Sequence, residues 1–385
     1  MTSAPPPELN PTPAAPLWSA PPPRGRRGGT VFAVIGIVLA GLVGLLVLAY
    51  LGLALGVSTL VIGTLLALVP LGVVLLAVRW IDRWEPEPRW ALWFAFLWGA
   101  AVAVAIALVV DLGVQLAMAF AQPGGSPDEA LQAVVQAPLV EELAKGLGVL
   151  LIFAFSRSHF DGPVDGLVYA ATAAAGFAFT ENILYFGQAL AEGGASELGA
   201  TFVLRGIFSP FAHVLFTACI GIAIGIGASR GGGPGVIGWF LLGLTGAVLL
   251  HALWNGSLAF ADDAIGLYFT VQVPIFVGAL LVTVYLRRQE ARITRTRLAE
   301  YGAAGWFSPA EVEMLATPAG RRQAKAWARA QTPPRTALMR RLIRDATHLA
   351  FTRQRMVTAR DGRRGAVDEH ALLEAVAADR AALLR

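Results

Sequence analysis

Four stretches place acids, imidazoles and amides inside otherwise apolar sequence. "QAPLVEELAKGLGVLLIFAF", Gln136 to Phe155, holds Glu141, Glu142 and Lys145. "GFAFTENILYF" holds Glu181 and Asn182, "RGIFSPFAHVLFTACIG" holds Arg205 and His213, and "HALWN" holds His251 and Asn255. Carboxylates with two imidazoles supply the groups that peptide-bond hydrolysis requires: a base for water, a stabiliser for the oxyanion and a proton for the leaving amine. Such a set either binds Zn2+, here through Glu142, His213 and His251, so that a bound water ionises near neutrality, or holds water and oxyanion by hydrogen bonds alone. Glu141 and Lys145 stand four residues apart, the spacing of a helical charge pair. That pairing leaves Glu142, about 100° around the helix, as the expected base. His251 and Asn255 are also four apart and share a face. Asn182 either bridges helices or serves the site beside Glu181, and Arg205 anchors near an interface or holds a loop or substrate carboxylate. A bland reading stands beside each of these: a structural ion pair for Glu141–Lys145, and hydrogen-bonded core residues for His213 and His251.

The elements that must position these groups are membrane helices. The chain has 385 residues, of which 56% are hydrophobic and 15% charged, and its mean hydropathy is +0.62. A soluble globule carries roughly 25% charged residues. Apolar runs of about 20 residues or more, the length a ~30 Å hydrocarbon layer demands, recur along most of the chain. We read eight spans, at 31–55, 58–78, 91–120, 130–155, 163–190, 201–228, 235–260 and 264–286. The expected fold is therefore all-α: a polytopic transmembrane helix bundle of about eight spans with a small helical cytoplasmic C-terminal appendage. Arg24, Arg26, Arg27, Arg79, Arg83, Arg89, Arg157, Arg230 and Arg287 alternate with acidic, arginine-free connections. By the positive-inside rule both termini are then cytoplasmic. Glu142, Glu181, His213 and His251 each fall roughly 9–12 residues from the outer end of their span, about 14–18 Å along a helix, so four antiparallel spans bring them to one level. Ionisable residues so deep in hydrocarbon are functional candidates by default, because each costs on the order of 2.5–3.5 kcal/mol to insert.

Outside the spans, residues 1–30 are rich in Pro and Ala and are expected to be disordered. Residues 31–286 form the membrane domain. Residues 287–385 carry 20 Lys and Arg against 10 Asp and Glu, while the first 286 residues carry 10 against 16. A basic tail of this kind faces anionic lipid or an unidentified partner, and no motif in it specifies nucleic acid. Ser308, Pro309 and Glu311 form a helix-start signature. Further helices are expected around "RTALMRRLIRDATHLAF" and "DEHALLEAVAADRAALL". The single cysteine, Cys219, excludes an intrachain disulfide. Asp111 and Gln115 form another i, i+4 polar pair, with no evident partner.

"EELAK", "FDGPVDGLVYAATAAAGFAFTEN", Arg205 with His213, and "HALWN", preceded by "IDRWEPEPRW", together resemble the PrsW family of intramembrane proteases, which is related to the CAAX-processing and bacteriocin-processing membrane proteases. The resemblance covers about residues 81–260. It implies a peptidase of membrane-anchored proteins in a bacterial cytoplasmic membrane, making the first cut in an anti-sigma factor. It also implies Glu141 and Glu142 as active-site glutamates, with Glu181, Asn182, His213, His251 and Asn255 at the other motif positions. Two further readings remain: a silent scaffold that binds single-span partners, and a proton-coupled transporter. A transporter is expected to show paired halves, whereas this polar set is confined to spans four to seven.

Overall fold

The computed structural model describes residues 27–121, 128–157, 160–231, 233, 235–358 and 362–385, with side chains from residue 34 onward and, in the last stretch, from 365. Residues 1–26 lie outside the described residues, whereas residues 27–30, read from sequence as part of the tail, already belong to a helix. Among the described residues there is no strand. The membrane unit, Arg26–Thr283, contains α1 (Arg27–Leu55), α2 (Val57–Ile81), α3 (Arg89–Leu97), α4 (Val104–Ala121), α5 (Glu129–Leu131), α6 (Ala137–Phe155), α7 (Pro163–Phe202), α8 (Ala212–Ser229), α9 (Gly235–Phe260), α10 (Ala264–Leu267) and the start of α11 (Val273–Ala303). Short π-helical turns, Trp98–Ala103, Gln132–Gln136, Val203–Phe208 and Tyr268–Gln272, join α3 to α4, α5 to α6, and α10 to α11, and follow α7.

By length and composition six stretches among the described residues can cross a membrane: Val34–Leu55, Val57–Ile81, Arg89–Ala121, Pro163–Ser229, Gly235–Phe260 and Ala264–Ala303. The eight read from sequence differ from these in two places. Pro163–Ser229 is 67 residues long, about 100 Å if it were one straight helix, but it bends at Gly194 (φ 65°) and breaks at Ser209–Phe211, so it corresponds to two of the eight. Helix α6 carries Glu141, Glu142 and Lys145, too many charges to count as a span by composition. The sixth span, expected to be one helix over 201–228, is instead the π-turn Val203–Phe208 followed by α8. Pro210 explains the break, since it has no N–H to donate and drives the residue before it out of helical geometry; Ser209 has φ −127°. The last span, expected to end at residue 286, runs on as helix to Ala303.

At the centre of the bundle is α7. Every residue from Val164 to Phe177 is buried, and the helix packs against α2, α3, α6 and α8. Small side chains in "GLVYAATAAAG" allow this crowding. A Cβ added at Gly166 would fall on the carbonyl of Gly221, and one at Gly221 on the carbonyl of Gly166, so α7 and α8 touch backbone to backbone there. Without a hydrophobic drive between helices in lipid, such close packing is a main source of association.

The second unit contains Val284–Arg385: the end of α11, then α12 (Pro309–Ala316), α13 (Pro318–Ala330), α14 (Thr336–Val357) and α15 (Gly362–Leu384). Its core includes Leu298, Phe307, Leu315, Met339, Leu342, Leu349, Val376 and Leu383. The expected capping box is present, with Ser308 Oγ accepting from Glu311 N at 3.2 Å and Glu311 Oε2 accepting from Ser308 N at 2.8 Å. Helix α13 went unread in the sequence because its polar face dominates. The "RDGRRG" turn lies partly outside the described residues, and Gly362 already starts α15.

Candidate active site

Helix α6 turns Glu141, Glu142 and Lys145 towards α7, α8 and α9. Both Glu142 and Lys145 are 0% exposed. The tight pair is not the expected one: Lys145 Nζ donates to Glu142 Oε1 at 2.5 Å and stands 3.8 Å from Glu141 Oε2. Residues three and four positions back are both within reach of a helical lysine, and the more deeply buried carboxylate gains most from the pairing. Nζ also lies 3.3 Å from His213 Nδ1 and 4.3 Å from the centre of the Phe177 ring.

Every oxygen of Glu142 is occupied. Oε1 also meets His251 Nδ1 at 3.0 Å, and Oε2 accepts from Thr217 Oγ1 at 2.8 Å. The ammonium of Lys145 can only donate, so His213 Nδ1 accepts and its proton is on Nε2, which donates to Glu181 Oε2 at 2.8 Å. Arg205 bonds Glu181 through Nη2 and donates from Nε to Asn182 Oδ1 at 2.9 Å. Its guanidinium lies 4.0 Å over the Tyr185 ring. Arg205, Glu181, His213, Lys145, Glu142 and His251 thus form one continuous chain of contacts drawn from α6, α7, α8, α9 and the π-turn after α7.

Glu141 reaches this chain through Oε2, 3.8 Å from Lys145 Nζ. Its Oε2 is buried with no hydrogen-bond partner, and His251 Nε2 lies 4.0 Å away. His251 meets Glu142 through Nδ1, which leaves its Nε2 turned towards the unsatisfied carboxylate oxygen of Glu141. Glu141, His213 and His251 each offer one donor atom, all within 4.8 Å of one another. Two imidazoles and a carboxylate with an orphaned oxygen fit a divalent cation such as zinc. The carboxylate in this set is Glu141 rather than the Glu142 expected from sequence, because Glu142 is already saturated. Lys145 competes with the ion, since His213 can ligate through Nδ1 only when the ammonium releases it.

Asn255 does not join the cluster despite sharing a helix face with His251. Its Nδ2 donates to the Ala133 carbonyl at 2.7 Å, in the Gln132–Gln136 π-turn, where the residue five positions on is Pro138, which has no N–H to donate to that carbonyl. Asp111 pairs with Gln115 at 2.8 Å and has the further partners that the sequence left unassigned, Gln132 at 3.3 Å and Gln136 at 3.5 Å. Thr217 and Phe216 were missed. Thr217 lies four residues after His213, one turn along the same face, and that spacing was the available signal. Phe216 stacks on His251 with ring centres 4.7 Å apart. Trp98 donates from Nε1 to the Ala144 carbonyl at 2.8 Å, tying the π-turn of the third span to α6 beside the charged residues.

A second polar group surrounds the α2–α3 connection. Asp82 Oδ1 accepts from Glu87 N at 2.9 Å, and Tyr169 hydrogen-bonds Glu87 Oε2. Burial foremost, with Asp165 adding to it and the Glu87 amide opposing it, pushes the Asp82 carboxyl up to about 7. Burial and Asp165 likewise hold Glu87 well above the usual carboxylate range.

The family model described as "PrsW family intramembrane metalloprotease" matches residues 87–279, half of the chain, and contains every residue of the contact network above. The chain belongs to the PrsW family. Among curated relatives, Protease PrsW of Geobacillus kaustophilus is 33% identical over 155 residues, spanning 40% of this chain and 62% of the relative. Protease PrsW of Clostridioides difficile is 33% identical over 161 residues, spanning 42% and 63%. That of Oceanobacillus iheyensis is 26% identical over 199 residues, spanning 52% and 82%. The chain thus covers slightly under two thirds of the first two relatives. No solved structure matches it. The PrsW match ends before α12, so the second unit lies beyond the part shared with the family model.

Proposed function

We propose that this PrsW-family chain is an intramembrane endopeptidase that hydrolyses peptide bonds of membrane-anchored proteins. The observation that carries this reading is the buried, unbonded Glu141 Oε2 opposite His251 Nε2. A water between them is held by the imidazole nitrogen and gives its proton to the carboxylate as its oxygen attacks the scissile carbonyl carbon. The carbon–nitrogen bond then breaks, and the proton taken by Glu141 passes to the leaving amine. Lys145 gives one N–H to Glu142 and one to His213 and keeps a third for the oxyanion. Glu142 and Thr217 are positioning residues, as are Glu181, Asn182 and Arg205, which fix the His213 tautomer.

The donor set equally supports the metalloprotease description of the family, with Glu141, His213 and His251 as the residues that would hold the ion. Bound there, zinc supplies Lewis acidity and brings a coordinated water's pKa to about 7. The resemblance further suggests an anti-sigma factor as substrate, cut first at this site, and the arginine distribution suggests a cytoplasmic-membrane protein with both termini inside. The basic second unit would then meet anionic headgroups or a cytoplasmic protein.

Purified protein in proteoliposomes with a single-span substrate provides the test. Glu141→Gln is expected to lower the cleavage rate by about 10²–10⁴-fold, the range for loss of a positioned base, while the substrate still binds. Undiminished cleavage would refute the assignment of Glu141. No cleavage by the unaltered protein, with substrate binding unaffected by Glu141→Gln, would favour a scaffold. Zinc content, measured beside His213→Ala and His251→Ala, separates the two ways of activating water: one ion per chain lost in both variants places a metal in the site.

A further inference from the structure

A cavity of about 1140 Å³ opens between α2, the connection that follows it, α3 and α7. Along α2, Leu71, Leu75 and Arg79 lie four residues apart and form one stripe of its wall. Along α3, Arg89, Leu92 and Phe96, spaced by three and then four residues, form the opposite wall. These helices are antiparallel neighbours in sequence, so their arginines share one end of the cavity, joined there by Arg83. Leu71 and Phe96 stand about 10–12 Å deeper, at 1.5 Å per residue. Trp80, beside Arg79 at the arginine end, is the residue type that settles where hydrocarbon gives way to headgroups.

We propose that this cavity binds one anionic phospholipid, with its phosphate among Arg79, Arg83 and Arg89 and its acyl chains along the leucine-lined throat. None of the three guanidiniums forms an ion pair among the described residues, although Asp82 and Glu87 line the same cavity. Burial disfavours the charged form of both acids, which weakens their claim on the arginines. Guanidinium groups match phosphate oxygens in geometry as well as charge, and basic pockets between spans are a recognised form of lipid-headgroup site. The positive-inside rule accounts for arginine at a helix end. It does not account for a cavity whose wall changes from guanidinium to leucine along its length.

Native mass spectrometry of the full detergent-purified chain tests the assignment, with phosphatidylglycerol and phosphatidylcholine of equal chain length as probes. Phosphatidylglycerol is expected to be retained in preference, and each of Arg79→Gln, Arg83→Gln and Arg89→Gln to weaken its retention about fivefold, roughly 1 kcal/mol per basic residue, with phosphatidylcholine unaffected. Leu76→Trp, at an exposed position of the throat, keeps every charge and is expected to weaken retention as well, so the test survives if an arginine variant misfolds. Equal retention of the two lipids, or unchanged retention in a folded arginine variant and in Leu76→Trp, would overturn the proposal. Displacement of the lipid by inorganic phosphate alone would also overturn it, because that would make the site one for free anions.

Discussion

Lys145 is a fully buried charge within the membrane unit. It is completely buried against two carboxylates, an imidazole and a phenyl ring. Removing a partner from such a group leaves a charge that water cannot reach, which typically costs 3–5 kcal/mol. Glu142→Gln is therefore expected to lower thermal stability by about that amount, read as a fall in melting temperature in detergent, whereas Glu141→Gln, which breaks no hydrogen bond of Oε2, leaves the melting temperature nearly unchanged. A similar fall in both would argue against separate roles for the two glutamates. Thr217→Val strands one oxygen of Glu142 and is expected to cost about 1–3 kcal/mol, measured in the same way. The residues of this network were legible in the sequence as charges out of place in hydrocarbon. Their partnerships were not, since residues 142 and 141 are both within reach of Lys145 and only packing by α8 and α9 selects between them. Asn255 illustrates the same limit: sharing a face with His251 said nothing of the π-turn carbonyl that claims it.

At the scale of elements, hydropathy located the spans, while breaks within them depended on backbone chemistry that hydropathy ignores. Pro210 ends one helix and lets α8 start at Ala212, which puts His213 in its first turn; the depth of His213 along one uninterrupted helix was therefore the wrong measure, even though the residue does reach Glu181. The contact between α7 and α8 is stricter still. Gly166→Leu is expected to push the helices apart at Gly221, with a loss of at least about 1–3 kcal/mol from overpacking and a loss of cleavage as His213 and Thr217 move with α8. A variant of wild-type stability would show that the backbones do not meet there. The glycines were visible in the sequence, but which helix they faced was not.

At the scale of the whole molecule, the second unit has its own core and its own buried charge. Arg380, 2% exposed, pairs with Glu311 at 2.9 Å, donates to the Trp306 carbonyl at 2.8 Å and lies over the Phe307 ring. It thereby ties α15 to the capping box of α12. Arg380→Ala is expected to cost about 3–5 kcal/mol in that unit, seen as early helix loss in circular dichroism of the full chain. The unit also carries a pH dependence. Burial, aided by Arg344 and Arg355 and opposed by Asp345, holds His348 below its ordinary 6.5. The unfolded imidazole then binds protons more readily than the folded one, so this contribution to stability is complete above pH 6.5 and fades as pH falls below it. His348→Gln is expected to shrink the fall in melting temperature between about pH 7.5 and 5.5.

The chain of contacts from Arg205 to His251 also sets a timetable. Ribosomes add roughly 5–20 residues per second, so about 5–20 s separate the synthesis of Lys145 from that of His251. During that interval the glutamates of α6 are without the imidazole that completes them, and Lys145, three and four residues further along the same helix, is the neutralisation they carry with them. On the proposed mechanism an unfinished copy lacks His251 and is inert. If the chain cuts membrane proteins, its neighbours at the insertion machinery are safe until α9 has joined the bundle.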